Sequence, residues 1–392
     1  MSLTVLFDLD DTLLHTNMDK FLPQYFKGLG ETLSHLAPPA RLTDQIYTAV
    51  NKMTINQDPG ELLSEIFSRN FYPPLGTTEE ACAPEIKYFY REEYPKLRLL
   101  TLPKPEASDL VEWCLAQDFS VAVATNPLFP ETATRQRILW AGLNPEDFSF
   151  FTHFNNFHFT KPNLTYYAEV LGRLGWPDTP AVMIGDNLTY DLLPMQNMGF
   201  DTYWVDPPID ETDQVHGPLV GVKPWLETIN QNTDDQLNNH YDVHDAVLRS
   251  TPAVIDSWLR ETSELKLHQK PSEEDWSMIE VVWHLLEMEK QIYLPQWENI
   301  LSDPLSPVAV KQFTIQPIES NSHQNFRDIF RQFLQNRQQS LDCVKELWEN
   351  GLYKVTVQHA IFSQVTIGEL VSFTTKHDRL HLRQLYNLLD NY

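Results

Sequence analysis

Two groups of side chains in this sequence have the types and spacing that chemistry needs. The first stands at its start, in Leu3-Thr4-Val5-Leu6-Phe7-Asp8-Leu9-Asp10-Asp11-Thr12-Leu13. A short apolar run rich in Val, Leu and Phe reads as a buried strand. Side chains two apart on an extended chain point the same way. Asp8 and Asp10 therefore share one side of the strand's carboxyl end. Carboxylates so placed repel each other unless they share a cation or a proton, which points to metal-assisted chemistry. The second group lies near the other end, in His377-Asp378-Arg379-Leu380-His381. Histidines at i and i+4 share a helix face, about 5–6 Å apart at Cβ. That spacing suits one transition metal, and imidazole suits Zn, Ni, Fe or Cu. A third histidine from a facing helix would complete a three-nitrogen site with open positions. His284, in Trp283-His284-Leu285-Leu286, sits in a helical pattern of its own.

The elements that must position these groups follow from hydrophobic patterning. Strands are expected at Leu3–Phe7, Ser120–Ala124, Phe148–Thr152, Ala181–Ile184 and Thr202–Val205, with helical segments such as Asn163–Leu174 between the later ones. This alternation predicts a doubly wound parallel α/β sheet, whose ligands bind at the carboxyl ends of its strands. Ordinary βα connections are about 2–6 residues long, so the stretch from Asp11 to about Pro103 is no simple loop. Its segments Lys20–Leu36, Leu42–Lys52, Glu61–Asn70 and Glu79–Glu93 read as helices, a helical cap inserted over 14–103 and placed to cover the site. Gly221–Ile229 completes a first domain spanning 1–229. The polar run that follows reads as a linker, 230–243. Over 244–392 the strand signal nearly vanishes, and four helices are expected at Ala246–Leu267, Ser272–Ile300, His323–Asn350 and Ile367–Leu389. In the third, Phe326, Ile329, Phe330, Phe333 and Leu334 form one apolar stripe. Four such helices predict an all-α four-helix bundle.

The bulk properties narrow the function. A chain of 392 residues with 42% hydrophobic content can build two cores. A formal net charge of -25 argues against nucleic acid or an anionic membrane as partner. Cys82, Cys114 and Cys343 are far apart, so neither a disulfide framework nor a zinc–cysteine site is expected. The first residues lack a basic n-region, and no apolar stretch approaches a membrane span, so a cytoplasmic protein is expected.

Three more motifs accompany the first. Thr125 follows the strand Val121-Ala122-Val123-Ala124 and precedes Asn126-Pro127. Lys161 stands in Thr160-Lys161-Pro162. Gly185-Asp186-Asn187-Leu188-Thr189-Tyr190-Asp191 follows Val182-Met183-Ile184. Alone, each has an ordinary explanation as a helix cap, a solvated lysine or a turn. In this order, over residues 1–229, they resemble motifs I to IV of the haloacid dehalogenase-like (HAD) hydrolases, and the insertion resembles that family's type C1 cap. The resemblance implies a Mg²⁺-dependent phosphatase of small phosphorylated metabolites. Asp8 would be the nucleophile, forming an aspartyl-phosphate, and Asp10 the acid and base. Thr125 and Lys161 would hold phosphoryl oxygens, with Asn126 beside them. Asp8, Asp10 through its carbonyl, and Asp186 would bind Mg²⁺, with Asp191 assisting. The family's dehalogenases do not need the second aspartate, so Asp10 favours phosphoryl transfer. Asp11 departs from the common glycine and is expected to shape the turn. A phosphotransferase or phosphomutase is the rival within this reading.

The C-terminal histidines also have company. Pro271-Ser272-Glu273-Glu274-Asp275-Trp276-Ser277, leading into His284, resembles the DinB-like metal-binding bundles. So does Thr366-Ile367-Gly368-Glu369-Leu370, leading into His377 and His381. This resemblance implies that His284, His377 and His381 bind a second divalent metal (Zn, Ni or Fe), with Asp378 or Glu287 orienting a ligand ring. It allows a metal-dependent thiol transferase, a binding module, or a homodimer formed through the bundle.

Overall fold

The structure is a computed structural model that describes residues 3–208, 213–229, 237–304, 326–360 and 363–390. It divides into two compact units. One comprises Met1–Tyr167 with Pro177–Leu237, the other Ala168–Trp176 with Asn238–Tyr392. The nine residues Ala168–Trp176 therefore group with the C-terminal unit, a detail absent from the division expected at 230–243.

The first unit begins with β1 (Thr4–Phe7) and β2 (Leu14–Thr16). The cap helices follow: α1 (Met18–Thr32), α2 (Pro39–Thr54), α3 (Leu63–Phe71) and α4 (Glu79–Tyr88). The chain returns through β3 (Thr101–Pro103), α5 (Pro105–Ala116), β4 (Ser120–Val123), α6 (Glu131–Trp140) and α7 (Leu164–Arg173). It ends with β5 (Ala181–Gly185), α8 (Leu193–Met198), β6 (Asp201–Val205), β7 (His216–Gly217) and α9 (Val222–Leu226). The parallel sheet runs in the order β4-β1-β5-β6-β7. All four residues of β1 are buried, as expected for a parallel strand covered on both faces. A second, antiparallel pair joins β2 to β3 and so ties together the two ends of the cap insertion.

Strand register positions the chemistry. Phe7 stands level with Val123 on one side and Ile184 on the other. The amide of Asp8 donates to Ile184 O at 2.9 Å, and that of Ala124 to Phe7 O at 2.7 Å. The residues that leave these three strands, Asp8, Thr125 and Asp186, are thereby set side by side at one edge of the sheet, on strands about 4.8 Å apart.

Phe148–Thr152 is not a strand. It runs beside β4 with a single bridge, Phe151 to Val123. The 3₁₀ turn Pro145–Asp147 precedes it, and the Thr152 hydroxyl turns away to donate to Thr125 O at 2.5 Å. Three backbone hydrogen bonds, from Ser149 and Thr152 to β4 and from Val123 to Phe150 O, still tie it to that strand's edge. The helix expected at Glu79–Glu93 holds those bounds, α-helical to Tyr88 and π-helical over Phe89–Glu93.

The second unit holds α10 (Tyr241–Glu261), α11 (Glu264–His268), α12 (Met278–Met288), α13 (Leu294–Ser302), α14 (Phe326–Glu349) and α15 (Ile367–Asp390). α14 packs on α10, α12 and α13, and α15 packs on α10 and α12. The long helix expected at Ser272–Ile300 starts only at Met278 and is interrupted by a π turn, Glu289–Tyr293. The start expected for the third helix, His323, lies outside the described residues. Before α15 stands a hairpin, β8 (Thr356–His359) with β9 (Ser363–Thr366), in a region read from sequence as purely helical.

A buried ionic knot lies between these helices. Arg337 on α14 donates to Asp378 on α15 at 2.5 and 3.2 Å, to Glu289 at 2.5 Å, and to Leu248 O at 2.8 Å. Ser340 donates to the other Glu289 oxygen at 2.5 Å. All three charged side chains are at most 1% exposed. Removing one partner of such a set leaves uncompensated buried charge, at a cost of about 3–5 kcal/mol. Arg337→Met should therefore lower this unit's unfolding free energy by about that much, read from urea titration. An unchanged midpoint would show that the knot adds nothing to stability.

Candidate functional site

The first site is built where β1, β4 and β5 end. Lys161, 3% exposed, places Nζ 2.7 Å from Asp8 Oδ1 and 2.6 Å from Asp191 Oδ1. The second Asp191 oxygen accepts the Asn187 amide at 3.0 Å. One oxygen from each of Asp8, Asp186 and Asp191 lies within 4.8 Å of the others. Asp191 comes this close because residue 185 is glycine: a Cβ there would overlap its carboxyl group. Trp204 Nε1 donates to Asp186 O at 2.6 Å and steadies that loop. Thr125 O accepts from Thr152 Oγ1 and, at 2.8 Å, from Tyr166 OH. Asn126 Oδ1 and Thr12 Oγ1 are buried with no hydrogen-bond partner.

Electrostatics favour a bound cation. Three carboxylates surround one ammonium, which leaves two negative charges in a largely buried space. Burial and repulsion from Asp8 raise the pKa of both Asp186 and Asp191. Burial alone would lower that of Lys161, but Asp191 and Asp8 outweigh it and hold the lysine well above its ordinary value. A hard divalent ion with oxygen ligands, such as Mg²⁺, fits both the donor type and the missing charge.

Asp10 has separate partners. Thr16 Oγ1 donates to Oδ1 at 2.8 Å, and Arg137 on α6 pairs with Oδ2. Arg137 is 1% exposed, with its guanidinium 4.5 Å above the Phe129 ring. Burial raises the Asp10 pKa, and Arg137 opposes that rise. Sequence reasoning passed over Arg137, because a lone arginine in Arg135-Gln136-Arg137 looks like a solvated residue. Asp11 adopts φ +59°, the left-handed region where glycine is common and aspartate is tolerated. Its carboxylate accepts the Thr16 amide at 2.9 Å and pairs with His15 at 3.0 Å. It shapes the turn, and His15 is held there.

The second site joins α12 and α15. His284 Nε2 and His381 Nε2 lie 3.0 and 3.2 Å from His377 Nε2. A metal about 2.0–2.1 Å from each nitrogen would set neighbouring ligands about 3.0–3.4 Å apart. Burial first, and the neighbouring imidazoles second, push His284 and His377 down to about 3, so both stay neutral, as ligands must be. Caps fix where these helices begin. Glu280 accepts from the Ser277 amide at 2.8 Å, and Glu369 from the Thr366 amide at 2.7 Å. His284 follows its cap by about two turns, and His377 follows its own by about three. The suggested orienting carboxylates are elsewhere: Asp378 is bound to Arg337, and Glu287 to Gln291 and Lys290. The residue that holds a ring is Gln384, whose Oε1 lies 2.9 Å from His381 Nδ1. Trp276 stacks parallel to the His381 ring at 6.2 Å. Neither Gln384 nor Trp276 had a sequence signal of its own.

Comparison with known proteins finds a family match over each of the two regions. Residues 3–199, half of the chain, match the family model of the haloacid dehalogenase-like hydrolases, and the chain belongs to that family. Residues 247–385 match that of the DinB superfamily. The chain is 26% identical over 147 residues to the uncharacterized protein YuaE of Bacillus subtilis, covering 34% of this chain and 90% of that protein. Among solved structures it is similar to an HAD phosphatase from Thermococcus onnurineus (19% identity, 57% of this chain and 97% of the other, TM-score 0.38). It is also similar to a 2-haloacid dehalogenase from Pseudomonas syringae pv. tomato (21%, 58% and 99%, 0.42). YfiT of Bacillus subtilis, described as a probable metal-dependent hydrolase with an unusual four-helix bundle topology, matches at 14% identity (42% and 90%, 0.34). At such identities and scores these structures say nothing about substrate. No helix among the described residues is long and apolar enough to cross a membrane.

The lowered histidine pKa values have a stability consequence. Unfolded histidine titrates near 6.5, so between about pH 6.5 and 3 the unfolded chain binds more protons than the folded one. Stability then rises with pH across that window and is lost on acidification. Metal-free protein should show the urea midpoint of its second unit falling as the pH drops from 7 to 4. His284→Gln with His377→Gln should make that fall shallower; an equal slope would mean that these rings titrate alike in the folded and unfolded states.

Proposed function

We propose that the first unit is a Mg²⁺-dependent phosphomonoester hydrolase working through an aspartyl-phosphate on Asp8. The observation that carries this reading is the cluster of Asp8, Asp186 and Asp191, in which Lys161 bridges Asp8 and Asp191, with Asp10 two residues along and separately held. Asp8 and Asp186, with the Asp10 carbonyl, would hold the metal. Asp191 has both oxygens engaged by Lys161 and the Asn187 amide, so it acts as a positioning residue. When bound, Mg²⁺ supplies positive charge against which an anionic nucleophile can meet a phosphate.

In the first step an Asp8 oxygen attacks phosphorus, and the bond to the ester oxygen breaks. Asp10, protonated, gives its proton to the departing alkoxide and becomes a carboxylate. In the second step water attacks phosphorus, its proton passes to Asp10, and the bond to Asp8 breaks. Phosphate leaves, and both aspartates return to their starting states. Lys161 and Thr125 hold phosphoryl oxygens. The unpartnered Asn126 Oδ1 and Thr12 Oγ1 stand ready for a hydroxyl or a water. Arg137 keeps Asp10 aimed and stabilises it as the carboxylate between the two proton transfers. The second step makes water the acceptor. A phosphotransferase would need a second hydroxyl substrate there.

Asp8→Asn should reduce phosphate release from p-nitrophenyl phosphate by at least about 10⁴-fold with an unchanged circular dichroism spectrum. Retained turnover would remove Asp8 as the nucleophile. Mg²⁺ at about one hundred times its Kd should add about 2.7 kcal/mol to the first unit's stability, and Asp186→Asn should abolish that gain.

A second centre is proposed in the bundle, supported by the convergence of three imidazole nitrogens. His284, His377 and His381 would bind one divalent transition metal with positions left open for a further ligand. His377→Ala should lower Zn or Ni content, measured by mass spectrometry, while Mg²⁺-dependent hydrolysis persists. Full metal content in that variant would remove the centre.

A further inference from the structure

The cap carries a cavity of ≈ 780 Å³, within the range of small-molecule sites. Tyr25, Phe26, Ile46, Val50, Phe67 and Phe129 are among its walls. Its charged wall residues, Glu79, Lys87 and Arg91, are all exposed. Among the polar groups of the lining, those of Tyr25, Tyr90 and Gln136 are already paired. Tyr25 OH and Tyr90 OH bond each other at 2.8 Å, and Gln136 Nε2 donates to Tyr90 O at 2.7 Å. No buried cation therefore waits there for a carboxylate or a second phosphate.

The cavity's position ties it to the reacting atoms. One wall is Leu128-Phe129-Pro130, the continuation of the loop that starts at Thr125. Phe129 lies under the Arg137 guanidinium, and Arg137 holds Asp10, the residue assigned to the leaving oxygen. The Tyr25 and Phe129 rings are 5.3 Å apart. An apolar chamber thus lies beside the loop and the arginine that flank Asp10.

Resting on the hydrolase reading above, we propose that this cavity receives the leaving group, and that the substrate is a phosphomonoester of a bulky apolar alcohol. A polyhydroxylated or carboxylated leaving group would lose its water against largely aromatic walls that offer it no buried cation and few polar partners. A hydrocarbon one gains about 0.8 kcal/mol for each methylene buried, close to fourfold in affinity.

The test uses the full chain with Mg²⁺ and a series of 1-alkyl phosphates from ethyl to decyl, with glycerol 3-phosphate for contrast. The expected result is a kcat/KM that rises about three- to fourfold per methylene until the cavity is full, with glycerol 3-phosphate near the bottom of the series. Val50→Trp, or Ile46→Phe if the first does not fold, should collapse the decyl-to-ethyl ratio by at least tenfold. A flat series, or a preference for glycerol 3-phosphate, overturns the proposal and leaves the hydrolase reading intact. Calorimetry of decyl phosphonate with Asp8→Asn protein separates the two. Binding that Val50→Trp weakens, in a protein that hydrolyses no phosphomonoester, supports the cavity and removes the hydrolase. No binding, with a flat series, removes the cavity.

Discussion

The first unit is organised around an electrostatic debt. Asp8 and Asp191 both bind a single buried ammonium, Lys161, and Asp186 brings a third carboxylate within 4.8 Å of theirs. Folding brings them together because β1 and β5 are neighbours in register, so their carboxyl-end residues have nowhere else to go. Lysine repays part of the repulsion, and its own desolvation limits how much. The rest is left as an excess of negative charge, which raises the pKa of Asp186 and Asp191. In the proposed hydrolase, a small divalent ion would meet that charge and let a phosphate approach Asp8.

The second unit answers the same problem differently. There two buried carboxylates, Asp378 and Glu289, face one arginine that can serve both at once through its fork of donors. The knot's hydrogen bonds are shared out among its members, and only one formal negative charge is left over, against two in the first unit. Next to it in sequence, His377 sits in a pocket where the ring stays neutral. Binding capacity and structural pairing are thus separated by one residue: Asp378 turns to α14 and holds helices together, while His377 turns to His284 and His381. In the first unit one carboxylate, Asp8, serves both purposes.

This division explains which parts could be read in advance. The long buried strands announced themselves because four or five consecutive apolar residues leave few alternatives. The pairs β2–β3 and β8–β9 did not, because two to four residues carry no measurable period. Phe148–Thr152 misled because burial and strand pairing share the same apolar signal. The lysine and aspartates were readable as a set, each tied to the end of a strand. Arg137, Gln384 and Trp276 were not, since each acts through a partner distant in sequence. The suggestion that Asp378 orients a histidine failed for the same reason: its true partner, Arg337, lies 41 residues away on another helix.

In the proposed mechanism, Arg137 would let Asp10 both give and take a proton. A buried carboxyl group left alone would stay protonated and serve poorly as a base. One paired with arginine in water would stay ionised and serve poorly as an acid. Here burial raises the Asp10 pKa and Arg137 lowers it, with Thr16 helping the arginine. The two large influences oppose each other, so a modest change at either one can shift the proton. A leaving group entering the apolar chamber beside Phe129 would exclude water from this pair and strengthen both influences together. The shape of the cap and the proton inventory of Asp10 are then parts of one design, joined through the arginine that lies over Phe129.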